Sequence, residues 1–238
     1  ELTESGQRLY DYANTVLSEY DKLKKEIDMI RASEEGTVEL LVAYDILRYL
    51  TPDCILEFQK KYPNVTFSYM EYPDRIVEKM LLDKEGNVAL SIGPFAGDCF
   101  DMKSLKKCSL GLLVYEGHSL AKKREATILD LEGEPLYLEN SSFKLNEFIQ
   151  SRCWNRGFEP DIVFETNGFD LCYKMCRLKR GISVTIDFVH EDMNTEGLVM
   201  IPFAEDDMIW EIGLLTLKDR AMESSVEKFY KYIEKYNS

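Results

Sequence analysis

Positive charge is the first thing this sequence is short of. Its 238 residues carry 29 Lys plus Arg against 43 Asp plus Glu, for a net charge of −14. A chain that acidic repels phosphate backbones, so these residues do not form a nucleic-acid surface. Histidine is scarcer still. His118 and His190 are the only two, each in a turn-like context and with no second histidine at metal-ligand spacing. There is no Gly-x-Ser-x-Gly, no phosphate-binding glycine loop and no Cys–His pair visible by motif. The expectation is therefore a non-enzyme without metal or cofactor, its many carboxylates lying on solvated faces. No run approaches eighteen apolar residues and no signal-peptide pattern opens the chain, which points to a soluble, cytoplasmic protein with no membrane partner. Cys54, Cys99, Cys108, Cys153, Cys172 and Cys176 lack the tight spacing of a disulfide framework and read as reduced thiols. Internal repeats and low-complexity linkers are absent as well.

What is present begins with a seam. Leu9, Ala13, Val16, Tyr20, Leu23, Ile27 and Ile30 follow one another at gaps of four and three, and neither Gly nor Pro interrupts them between Gly6 and Gly36. Such heptad spacing keeps one stripe facing a partner helix. A helix from about Ser5 to Ile30 would run ~39 Å at 1.5 Å per residue. It is either an amphipathic helix packed on its own domain or a dimerising helix packed on a second copy. Ser33-Glu34-Glu35-Gly36 ends it.

Beyond it the chain alternates strand and helix. Strands are expected at Val38–Ala43, Val65–Tyr69 and Val88–Ile92. The intervening helices cover about 46–61, with a kink or restart near Pro52, and about 73–82. A second unit begins near Cys108. It has strands at 110–115, 135–138, 162–164 and 182–186, a short helix at 128–131, and helices at about 143–155 and 169–180. The chain returns through 198–203 and 209–217 and closes on a helix carrying Met222, Val226, Phe229, Tyr230 and Ile233. Short turns between alternating elements predict an α/β fold, a mostly parallel sheet covered on both faces.

Several segments, in this order, carry a resemblance. Leu2-Thr3-Glu4-Ser5-Gly6 resembles the turn that leaves a winged helix-turn-helix. Gly117-His118-Ser119-Leu120-Ala121 resembles a His-Pro-Leu-Ala turn, with Ser119 in place of proline. Leu129-Asp130-Leu131 resembles a Leu-x-Asp-Leu segment, slightly rearranged. Gly157-Phe158-Glu159-Pro160 matches Gly-Phe-x-Pro, and Arg180-Gly181-Ile182-Ser183-Val184-Thr185-Ile186 resembles a helix end and strand, with Ser183 for a second glycine and Asp187 for proline. Together they are similar to LysR-type transcriptional regulators. The resemblance implies a two-lobed fold like that of type 2 periplasmic binding proteins, preceded by a linker helix. Residues 1–35 would be the end of the wing and the dimerising helix, and 36–238 the effector-binding domain. Lobe I would cover about 36–108 and 204–238, lobe II about 109–203. It further implies a homodimer or homotetramer, and DNA contact only through an N-terminal winged helix missing from these residues.

In open α/β sheets ligands bind beyond the carboxyl ends of strands, where helix N-termini present N–H groups. Three such places are readable: Ala43-Tyr44-Asp45-Ile46, Glu139-Asn140-Ser141-Ser142-Phe143 and Thr166-Asn167-Gly168-Phe169. Ile92-Gly93-Pro94 could form a wall, and Thr185 ends another strand. Each polar residue here could equally be a helix cap worth ~1 kcal/mol. If the three ends converge, the helix N-termini favour an anionic group such as a carboxylate. Asp45 either caps the helix at Ile46 or faces the cleft, where it favours a ligand that also carries an amine, such as an amino acid. Cys172 and Cys176 share a helix face, which leaves a redox role open. The other class of function consistent with the fold is a solute-binding protein feeding a transporter.

Overall fold

The computed structural model describes residues 3–33, 36–95 and 98–236; for 11, 21 and 25–33 it describes the backbone alone. Helix α1 (Glu4–Ser33) begins where Thr3 Oγ1 accepts from the Gly6 N–H at 3.1 Å, a side-chain cap for an end whose amides have no helical partner. Within the seam Leu9, Val16, Tyr20 and Leu23 are all more than half exposed. Thus the reading in which α1 packs on its own domain does not hold for these residues. The side chains of Ile27 and Ile30 lie outside the described residues, as do Leu2, Glu34 and Glu35. Gly36, expected to end the helix, is instead the first residue of strand β1 (Gly36–Ala43).

Strand β1 pairs in parallel with β2 (Val65–Tyr72) and β3 (Val88–Ile92). The helical stretch after β1 breaks where Pro52 can offer no N–H, giving α2 (Ile46–Leu50) and α3 (Asp53–Lys61). Helix α4 (Asp74–Leu82) starts directly after Pro73. The largest departure from expectation is β4 (Phe100–Tyr115), which starts ten residues before the predicted strand. Its first part pairs antiparallel with β9 (Ile209–Leu217) as far as Ser109, with a register shift between Ser104 and Lys106. From Leu110 it pairs with β7 (Ile182–Ile186), and from Gly111 with β8 (Leu198–Pro202), again antiparallel. Strands β5 (Leu136–Glu139) and β6 (Ile162–Thr166) complete a second parallel group with β7.

The nine strands run β2-β1-β3-β9-β4-β7-β5-β6, with β8 beside β4. The expectation of a mostly parallel sheet therefore holds inside each half only, because the connecting strands β4, β8 and β9 are antiparallel to their neighbours. Helix α5 (Lys144–Asn155) is followed by Gly157 at φ 89°, and α8 (Ser224–Tyr236) covers β1. Helix α6 (Phe169–Arg177) ends three residues earlier than expected, because Lys179 takes φ 58° and turns the chain before Gly181. A short helix α7 (Asp187–Asp192) follows β7 where none was expected. Its first residue receives two backbone N–H bonds, from Ser109 (2.9 Å) and Phe188 (2.6 Å), which fix it against β4.

The core of the first half centres on Phe58, which lies edge-on to Phe229 (5.1 Å between centroids) and tilted to Phe67 (5.8 Å). Aromatic rings prefer such offset or edge contacts to face-to-face stacking. The core of the second half includes Leu112, Leu138, Ile149, Tyr173 and Val184.

Candidate functional site

Ala43, Ile92, Glu139 and Ile186, each at the carboxyl end of its strand, meet around one small cavity of about 20 Å³, room for roughly one water. Tyr44, Asp45, Ile46, Phe143 and Trp210 also line it. Tyr44 and Asp45 lead from it into an open cleft of about 530 Å³ that also includes Arg48, Asn167, Asp170 and Asp192. Thr166 and Asn167 line a hollow beside that cleft.

The cleft is crossed by contacts from one half to the other. Arg48 of α2 donates to Asp45 (2.5 Å), to Asp192 of α7 (2.6 Å) and to Asp170 of α6 (3.4 Å). Asp45 takes the left-handed conformation, φ 68°, and its side chain makes no cap bond to α2. The capping alternative is thus replaced by an ion pair with Arg48. Burial still raises the Asp45 carboxyl above its usual value, against the lowering effect of Arg48. Deeper in, Lys144 at the start of α5 extends Nζ to Glu78 of α4 and to the Ile92 carbonyl (2.7 Å). Its backbone N–H donates to Asp74 Oδ1 at 3.0 Å. The positive end of α5, expected to await a ligand anion, is therefore already met by a carboxylate of the other half. Burial pushes Asp74 up to about 6 in spite of Lys144. Tyr44 and Phe143 face each other across the gap at 6.2 Å.

Other expected residues serve local structure. Asn140 accepts from the Ser142 N–H (2.9 Å) and donates to Asn167 Oδ1 (2.5 Å), joining the second and third predicted places. Thr166 Oγ1 accepts from the Gly168 N–H (3.1 Å) and donates to the Gly168 carbonyl (2.5 Å). Ser141 is exposed on the turn before α5. Gly93 is buried and bonded to the Glu211 carbonyl (2.7 Å), and Pro94 lines a separate hollow with Arg75 and Phe148. Thr185 is committed to Tyr173 Oη (2.9 Å), which in turn reaches His190 Nδ1 (3.1 Å). It lines neither the cavity nor the cleft. Burial raises the Cys172 thiol to about 11 and the Cys176 thiol to about 12, so both stay protonated and unreactive at neutral pH.

The sequence reading passed over Arg48, Asp74, Lys144, Asp170, Asp192 and Trp210, and named Glu139 only as a neighbour. One signal was available for Glu139: it directly follows the apolar run Leu136-Tyr137-Leu138, which places a carboxylate at the end of a buried strand.

A family model described as the LysR substrate binding domain matches residues 31–237. The chain belongs to this family. Among curated relatives, an uncharacterized HTH-type transcriptional regulator of Bacillus subtilis, YwbI, is 25% identical over 185 residues, which cover 78% of this chain and 62% of that protein. The transcriptional dual regulator GltC of Bacillus subtilis is 23% identical across the whole of this chain and 79% of its own length. Thus a LysR substrate binding domain of this size spans less than two thirds of the first of these relatives. Among solved structures, the regulatory domain of CcmR from Synechocystis, in complex with 2-PG, aligns at TM-score 0.75 with 16% identity over 85% of this chain and 98% of that one. The BenM effector binding domain with its effector benzoate aligns at 0.71 with 19% identity over 85% and 92%. Among the described residues of this family member no helix is long and apolar enough to cross a membrane.

Proposed function

We propose that this LysR substrate binding domain senses a small-molecule effector in the cleft between its two halves, as the regulatory part of a transcription factor. The observation that carries the reading is the cleft itself. Carboxyl ends of four strands from both halves converge there, and two passages of chain join the halves, through β4 at Ser109–Leu110 and between β8 and β9. Lobe I then comprises about 36–108 and 204–238, lobe II about 109–203, with rotation about the two passages opening and closing the cleft. The relatives named above are transcription regulators, which favours this reading over a solute carrier. With a net charge of −14, contact with DNA would fall to a separate basic segment. The exposed seam of α1 supports assembly through paired helices into a homodimer or homotetramer. Closure of the cleft would re-angle those helices and whatever they carry, and it requires a ligand that prefers one arrangement of the lobes. A cytoplasmic location is consistent with six free thiols.

A thermal-shift screen of metabolites tests the reading. A ligand at 100 times its dissociation constant adds ~2.7 kcal/mol, or about 5–10 °C for a chain of this size. Hits should weaken in Tyr44→Ala and Asn167→Ala. A ligand whose affinity neither variant changes would place the site elsewhere.

A further inference from the structure

The cavity and the cleft that opens from it are lined by six carboxylates, from Asp45, Glu71, Asp74, Glu139, Asp170 and Asp192, and one cation, Arg48. Arg48 is already shared among Asp45, Asp170 and Asp192. Asp74 is matched by the start of α5. Glu139 is left over. It is 4% exposed, and its carboxyl makes no hydrogen bond among the described residues. A buried carboxylate without a partner is costly, and burial together with Asp45 and Asp74 holds the Glu139 carboxyl well above its ordinary value. A second, independent vacancy belongs to another residue that lines the cavity. Trp210 lines the cavity, is 3% exposed, and its indole Nε1 is buried without a hydrogen-bond partner. Native interiors seldom leave such a donor unpaired.

These two groups ask for opposite things. Glu139 needs N–H donors carrying positive charge, and Trp210 needs an oxygen acceptor. Among the described residues no group of three or more His, Cys, Asp or Glu side chains is arranged to hold a metal ion. A polyatomic cation is therefore the better match. We infer that the cavity is a subsite for the ammonium head of an amine-bearing effector, held by Glu139 and Asp45, with Trp210 donating to an oxygen of the same molecule. The cavity has the volume of such a head. The rest of the ligand would extend past Tyr44 into the 530 Å³ cleft. This rests on the proposed function and narrows it, because the effectors that neighbouring structures name, benzoate and shikimate, are carboxylates.

The test is calorimetric titration of the chain with L-lysine, L-arginine and putrescine, and with benzoate and shikimate as acids without an amine. At least one amine should bind with a dissociation constant of about 1 mM or better, and both acids should bind at least tenfold more weakly than it. Glu139→Gln should weaken the amine about tenfold or more while its unliganded melting point stays at or above that of the parent, because a buried unpaired acid has been removed. Burial raises the Glu139 carboxyl, so where it is protonated in the free chain binding should also release protons, seen as a buffer-dependent heat, because a cation drives Glu139 to its charged form. The ionisable groups that face Glu139 are Asp45, Asp74 and Cys172. That heat should vanish in Glu139→Gln. Should Glu139→Gln fail to fold, Asp45→Asn is to show the same loss of affinity. Absence of any amine binding up to about 10 mM, or amine affinity unchanged in both variants, overturns the inference. If the acids bind and the amines do not, the inference fails while the small-molecule reading stands.

Discussion

Replacing Lys144 by methionine removes the one cation that, among the described residues, is buried between the halves. Its ammonium meets Glu78 and the Ile92 carbonyl, and both Lys144 and Glu78 side chains are about 9% exposed. Methionine keeps the length and the apolar contacts of the stem but leaves Glu78 with a single hydrogen bond, from Ser91 Oγ at 3.1 Å. Breaking a buried pair by removing one partner costs about 3–5 kcal/mol, mostly because the other charge is stranded. The start of α5 is spared, since its bond to Asp74 comes from the backbone of Lys144. Asp74 loses its nearest cation and moves further up. For a chain of this size 1 kcal/mol corresponds to about 2–4 °C, so Lys144→Met should melt about 6–20 °C lower. Urea unfolding followed by tryptophan emission should show a matching drop, with the buried Trp210 reporting on the cleft. The double variant Lys144→Met with Glu78→Gln should recover most of the loss, because neither member of the pair is then left as a stranded charge. A single variant within about 0.5 kcal/mol of the parent, or a double variant no better than the single, would refute the assignment of stability to this pair.

Two further outcomes are expected. Asp74 lies near 3.8 unfolded and about 6 folded, so the native state binds its proton more tightly, and stability is present at low pH and lost as pH rises through about 6. Its share is about 3 kcal/mol between pH 4 and 7, and Asp74→Asn should flatten the melting profile by that amount; an unchanged profile would remove Asp74 from the account. Gly181→Ala should destabilise by more than about 2 kcal/mol, because a Cβ there would lie 2.1 Å from the Pro135 carbonyl oxygen, a backbone atom that cannot swing aside. Chemical denaturation checks it.

The elements that the sequence revealed are those whose signals are local. Pro52 and Pro73 punctuate helices at their own positions, and the apolar runs 88–92 and 182–186 are strands buried along their whole length. The first part of β4 is illegible because Asp101, Met102, Ser104 and Lys107 are exposed, so the segment reads as a loop until β9, more than a hundred residues later, is laid beside it. Helix α7 is hidden in the sequence because Asp187 stands where the family resemblance has proline and the element has only six residues. The three convergent ends around Tyr44, Asn140 and Thr166 were legible from strand-to-helix order. Their inward carboxylates were not. Acidic residues read as solvated by default, and Asp74 becomes buried only by meeting Lys144, 70 residues away.

The meeting of Asp74 with the start of α5 also means that the protein carries its own competitor. A free carboxylate seeking those amides must displace one that is tethered to the same molecule. Such a tether holds its group at an effective concentration on the order of millimolar or more. An acid metabolite of ordinary affinity therefore wins the helix end only after the lobes have separated. At the inferred amine subsite Glu139 carries no such rival, so an amine would not have to wait for that separation.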